Sequence, residues 1–270
     1  MVRKLFKHEF AAMGRLMLPV LCAVLGVGIL TRLILFFESD TIGFNIIGGS
    51  SFLMLFVVMF AGLFLAMVFG VIRYYKNLFS TEGYLSFTLP VTPAHHLMVK
   101  SVTAVTFYVA AALAAIVSLV IALSGDPLVE GVKAASYIWA HLPEDLNKVH
   151  LVFYAIEFAI YMLISVFSSF FLYYTCITIG QMANKYRIMM AVGIYFVYYL
   201  IMQVFSTVMS VLFSVFALTP LMERVAEFIA DNIYLCGHTF FIGMLLVCIL
   251  TVGVEFLVCH TIIRKKLNLE

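Results

Sequence analysis

The stretch SFLMLFVVMFAGLFLAMVFGVI, Ser51 to Ile72, carries no charged residue from end to end, and its reading decides the fold. A helix rises about 1.5 Å per residue, so this run is long enough to cross a hydrocarbon core of about 30 Å. Five further runs are also long and apolar enough: Met17 to Phe37, Ser101 to Leu123, Leu151 to Ile179, Met189 to Leu218 and Phe240 to Ile263. The whole chain agrees with them. It is 64% hydrophobic and 11% charged, with a mean hydropathy of +1.12, whereas soluble domains are about 45–50% apolar and about 25% charged. The expected fold class is all-α, a polytopic membrane protein with six transmembrane helices. Its 270 residues are nearly consumed by the spans, so a single transmembrane domain over 1–270 is expected, with no room among them for a nucleotide-hydrolysing domain.

Working outward from the spans, the basic residues sort by side. Arg3, Lys4, Lys7 and Arg15 precede the first span; Arg73, Lys76 and Lys100 lie between the second and third, Lys185 and Arg187 between the fourth and fifth, and Arg264, Lys265 and Lys266 after the sixth. The other connections hold Lys133, Lys148 and Arg224 against nine acidic residues, among them Asp126, Glu130, Glu223, Glu227 and Asp231. Cytoplasmic loops retain an excess of Lys and Arg, so both termini are expected to be cytoplasmic. The net charge of +2 and pI of about 8.2 are accounted for by this topology and imply no nucleic-acid partner. No A-x-A-like cleavage site follows the first apolar run, so a cleavable signal peptide is not expected.

Immediately after the second span comes a long polar segment, Arg73 to Lys100, RYYKNLFSTEGYLSFTLPVTPAHHLMVK. Gly83 interrupts its helical pattern, Leu89-Pro90 blocks helix continuation, and Thr92-Pro93 supplies an N-cap and a first-turn proline for the third span. The segment is therefore expected to be structured: either a well-capped connection or a docking element. Ahead of the first span, Val2, Leu5, Phe6, Phe10 and Met13 recur every three or four residues and predict an amphipathic N-terminal helix, an anchor on membrane lipid or a contact for a partner. In the second span Gly62, Ala66 and Gly70 form a small-residue row that lets another helix approach closely. Thr219-Pro220 opens a short amphipathic helix striped by Leu221, Val225, Phe228 and Ile229, expected to lie on the membrane surface.

Chemistry-bearing motifs are sparse. There is no G-x-x-x-x-G-K-[ST], G-x-S-x-G or H-E-x-x-H. The seven histidines lack the i, i+4 pair that a zinc site wants, and four of the five cysteines fall in or at the ends of spans, where they are expected as small buried hydrophobes. No catalytic residue, metal site or cofactor is expected on this chain, and an enzyme is not. Charges inside spans are costly and are functional candidates by default. Arg32 and Glu157 lie near the outer ends of their spans and are expected to pair; Glu255 lies deeper, about 13 Å before Arg264. In the fifth span Tyr195, Tyr199, Gln203, Ser206 and Ser210 share one face, either a packing seam or part of a substrate path.

Six spans with both ends inside, the basic amphipathic N-terminus and the run E-G-Y-L-x-F-T-L-P-V-T-P, Glu82 to Pro93, resemble the permease subunits of ABC-2 type ATP-binding-cassette exporters, particularly small bacterial ones. The likeness covers the whole chain in layout, and Glu82, Gly83, Tyr84, Leu85, Leu89, Pro90 and Val91 carry it locally. It implies a coupling element within 73–100, at Asn77, Leu78, Phe79, Glu82, Gly83, Tyr84 and Leu85, docking on a separately encoded cytoplasmic ATPase that would bind ATP and Mg. It also implies a second permease, self or homologue, a path between the two, and residence as a multi-pass protein in the bacterial cytoplasmic membrane. The alternative from another class is a non-transporting assembly or immunity factor that uses the same loop to bind some other cytoplasmic protein. A neighbouring ATPase gene would separate the two.

Overall fold

The structure is a computed structural model, and it describes residues 2–37, 42–80, 83, 91–143, 147–183 and 185–265. Eight helices account for nearly all of them: α1 (Val2–Phe36), α2 (Ile42–Phe79), α3 (Pro93–Ala122), α4 (Asp126–Ala140), α5 (Lys148–Gly180), α6 (Arg187–Ala217), α7 (Pro220–Asp231) and α8 (Ile233–Lys265). The protein is all-α, and α1, α2, α3, α5, α6 and α8 are each long and apolar enough to cross a membrane. These helices overrun the apolar stretches that nucleate them. At about 1.5 Å per residue, the 35-residue α1 is about 52 Å long, well beyond a core of about 30 Å.

Local sequence explains most of the helix ends. Thr92 is the N-cap of α3, in extended backbone with Pro93 at the first turn, and its hydroxyl meets His95 Nδ1 at 2.6 Å. Thr219 and Pro220 start α7 in the same way. Asn147 caps α5 by accepting from the Val149 N–H. The expected separate N-terminal helix is instead continuous with the first span, because nothing between Met13 and Met17 breaks the helix. Pro19 sits inside α1 without ending it.

By internal contacts the chain forms two compact units: Met1–Leu78 with Leu85–Asp145, and Phe79–Tyr84 with Leu146–Glu270. The first unit is built on close helix approach. Met13, Met17, Ala66, Phe107 and Ala111 form its core, with Leu63, Phe69 and Tyr108 packed around them. A Cβ on Gly62 would stand 2.8 Å from Val24 Cγ2, and one on Gly28 would stand 2.7 Å from the Ser118 carbonyl oxygen. The small-residue row of α2 thus does pack, and glycine at 28 lets α1 meet α3 backbone to backbone. Ser118 Oγ donates to the Val24 carbonyl at 2.8 Å across that seam.

In the second unit α5 is the central helix, packed on α8 and α6. Phe170, Phe171 and Tyr174 are buried on it, and Phe171 meets Phe256 of α8 edge-on with centroids 6.0 Å apart. Thr175 Oγ1 lies 3.3 Å from the sulfur of buried Cys259. At the other seam Gly180 faces Ala191, where a Cβ would come within 2.8 Å of the Ala191 nitrogen.

Candidate functional site

Where α1, α2 and α3 converge, a single carboxylate gathers three side chains of the first unit. Arg73 donates through Nε to Glu9 Oε1 and through Nη2 to Oε2, each at 3.0 Å, a two-pronged ion pair. Lys100 Nζ is 3.3 Å from Oε1, and Asn77 Nδ2 donates to Oε2 at 3.3 Å. Glu9 and Lys100 are buried. Arg73 and Lys100 are the first and last residues of the polar segment, so both roots of that loop are fastened to one group on α1.

Glu9 was not among the residues expected to matter. Its signal is visible in hindsight: it is the one acid among the first fifteen residues, and at helical spacing it falls in the middle of the Leu5, Phe6, Phe10, Met13 stripe. A charge on an apolar face has to find a partner. That stripe is also more than a lipid anchor, since Phe10 meets Phe107 of α3 with tilted rings, centroids 4.7 Å apart, and Met13 is in the core.

Part of the expected coupling element falls on described residues. α2 runs on through Phe79, so Asn77, Leu78 and Phe79 are the last turn of a long helix. Leu78 and Phe79 are 0% and 1% exposed, and Asn77 is bound to Glu9. Gly83 is buried and its N–H donates to the Ser80 carbonyl at 2.7 Å, the turn expected there. Glu82, Tyr84 and Leu85 lie outside the described residues, as do Leu89 and Pro90.

The charged residues of the spans have local surroundings in their own units. Arg32 covers the turn at Gly125, with Nη2 placed 2.7 Å from where a Cβ would stand. Glu157, in the second unit, has a histidine beside it: His238 Nδ1 is 2.8 Å from its Oε1, and His238 Nε2 is 3.0 Å from His150 Nδ1. In this chain a ring N–H donates to the carboxylate, and the two imidazoles share the next proton. His150 stacks on Tyr234 at 4.3 Å, and Tyr154 donates to the Tyr234 carbonyl. Histidines 88 positions apart carry no spacing signal, which is why the sequence leaves them scattered. Glu255 is buried, and its Oε2 has no hydrogen-bond partner among the described residues.

The polar face of α6 is brought together as far as helical spacing allows. Tyr195 stacks on Tyr173 of α5 at 5.7 Å, while Tyr199, Gln203, Ser206 and Ser210 are all exposed. Beyond Tyr195, then, the stripe is not a packing seam within its own unit.

These features define a class: an all-α, multi-pass membrane protein whose polar loop is fastened to the first helix by a buried ionic knot. Comparison with protein-family models, curated proteins and solved structures finds no match for the chain.

Proposed function

We propose that the chain is the permease subunit of an ATP-driven exporter of the ABC-2 type, resident in a bacterial cytoplasmic membrane and worked by a separate cytoplasmic ATPase that carries ATP and Mg. The observation that carries this reading is the knot on Glu9. A loop that merely joins two spans needs no buried charges at its roots, and burying them is costly unless they are well paired. A loop that must transmit a push needs firm roots. With Arg73 and Asn77 at one root and Lys100 at the other held on Glu9, force on the loop acts on α1, α2 and α3 together.

In this reading Leu78 and Phe79 support the loop from within, and the docking contact falls to Glu82, Tyr84 and Leu85. The exposed face of Tyr199, Gln203, Ser206 and Ser210 on α6 serves the path for an amphipathic cargo, completed by a second permease. The protein itself hydrolyses nothing. Affinity purification of the tagged full-length chain with its genetically neighbouring ATPase tests the proposal. The two are expected to co-elute, and Glu82→Lys is expected to weaken co-elution about tenfold or more while leaving the permease monodisperse. A permease that never retains an ATPase, or a Glu82→Lys variant that retains it fully and transports, overturns the reading.

A further inference from the structure

The connection that follows α3 holds a helix that spacing in the sequence also announces. In α4, Leu128, Val132, Ala135 and Trp139 recur at four, three and four residues, one stripe flanked by Ile138, while Asp126, Glu130, Lys133 and Tyr137 occupy the opposite side. None of its residues is buried, and Val132, Ile138 and Trp139 are 61%, 63% and 47% exposed. We propose that α4 lies in the plane of the membrane, with this stripe among the lipids of the leaflet at which α3 ends.

Two observations fix that occupant. The first is depth. Only the turn 123–125 separates α3, a helix long and apolar enough to span, from α4, and the backbone bonds run on across it: Leu128 N–H donates to Leu123 O and Val129 N–H to Gly125 O, each at 3.1 Å. Gly125 takes φ +108°, open to glycine and strained for other residues. The Arg32 guanidinium lies against it. An arginine on a spanning helix carries its charge up to the headgroups, so the turn beneath it sits at headgroup level, and α4 starts there. The second observation is the division of faces. A helix of 15 residues, about 22 Å long, with one apolar and one charged side matches the boundary between acyl chains and water. The charged side carries Asp126, Glu130 and Lys133, which makes it no magnet for anionic lipid; apolar burial drives the contact.

Trp139 is the only tryptophan in the chain, so intrinsic tryptophan fluorescence reports on this helix alone. The full-length protein is reconstituted in phosphatidylcholine vesicles whose acyl chains are brominated either near the headgroup or near the methyl end. The expected result is blue-shifted emission, quenched more strongly by the shallow bromine than by the deep one, little affected by aqueous iodide, and unchanged when phosphatidylglycerol is added. Val132→Glu places a charge mid-stripe on a helix with no buried residue, and is expected to keep the protein monodisperse while reducing bromine quenching and increasing iodide quenching. Iodide quenching equal to that of free N-acetyltryptophanamide would show a helix in water and overturn the proposal. So would stronger quenching by the deep bromine, quenching by neither agent, as under a second copy or another protein, or a Val132→Glu variant quenched like the parent.

Discussion

α3 and α6 are similar in length and both apolar enough to cross a membrane, yet they are used in opposite ways. Thirteen residues of α3 are buried; on α6 Ala191 alone is. The difference lies in side-chain size and polarity. The buried face of α3 holds Ser101, Thr103, Ala104, Ala111, Ala115, Ser118 and Ala122, which let helices close up and hydrogen-bond across the seam. α6 presents Phe196, Leu200, Ile201, Val204, Phe205 and Leu212 outward. Lipid tails are as apolar as leucine, so in a membrane hydrophobicity does not sort inside from outside; small and polar residues do.

The largest blow to the tightly packed unit should come from Glu9→Gln, which removes the anion that Arg73 and Lys100 share. Breaking a buried ion pair from one side costs about 3–5 kcal/mol, and the expected outcome is a sharp fall in detergent-extracted, monodisperse protein. The matching change on α7, Glu223→Gln at an exposed position, should stay within about 0.5 kcal/mol. Equal melting temperatures for the two would mean that the knot contributes nothing to the fold.

Phe79→Ala comes next. Truncating a buried phenylalanine typically costs about 3–5 kcal/mol, so thermal unfolding should move well down. A variant that melts like the parent but loses its ATPase would restore Phe79 as a docking anchor. Gly28→Ala should cost about 1–3 kcal/mol by forcing α1 off the Ser118 backbone, whereas Gly193→Ala on α6, with nothing within 4 Å of the new methyl, should be neutral to within about 0.5 kcal/mol. Reversal of that order would break the contrast between α3 and α6. The smallest stability effect, below about 0.5 kcal/mol, is expected for Gln203→Leu. Under the proposed function, its mark is a changed substrate stimulation of the ATPase that co-elutes, at an unchanged melting temperature.

Span existence and helix starts at Thr92-Pro93 and Thr219-Pro220 were legible because they depend on neighbours in sequence: runs of apolar residues, and caps followed by proline. The approach of α2 to α1 was legible for the same reason, through Gly62, Ala66 and Gly70. What escaped depends on distant pairs. Glu9 meets Arg73 across 64 positions and Glu157 meets His238 across 81, and nothing in either local window announces its partner. The stripe of α4 is plain in the sequence, but at 15 residues it is too short for a span.

Pro19 changes what α1 can do as a mechanical part. With no N–H it leaves the Arg15 carbonyl without its helical bond, so one turn of this 35-residue rod is softer than the rest. Below that turn the rod is tied to the loop through Glu9; above it, to the neighbouring helices through Gly28 and through Thr31, which donates to the Ser51 carbonyl. An open groove of about 260 Å³, lined by Pro19, Val20, Ala61 and Gly62, runs beside the joint and gives it room. Pro19 thus marks the weakest turn of α1, and the groove beside it leaves that turn room to bend.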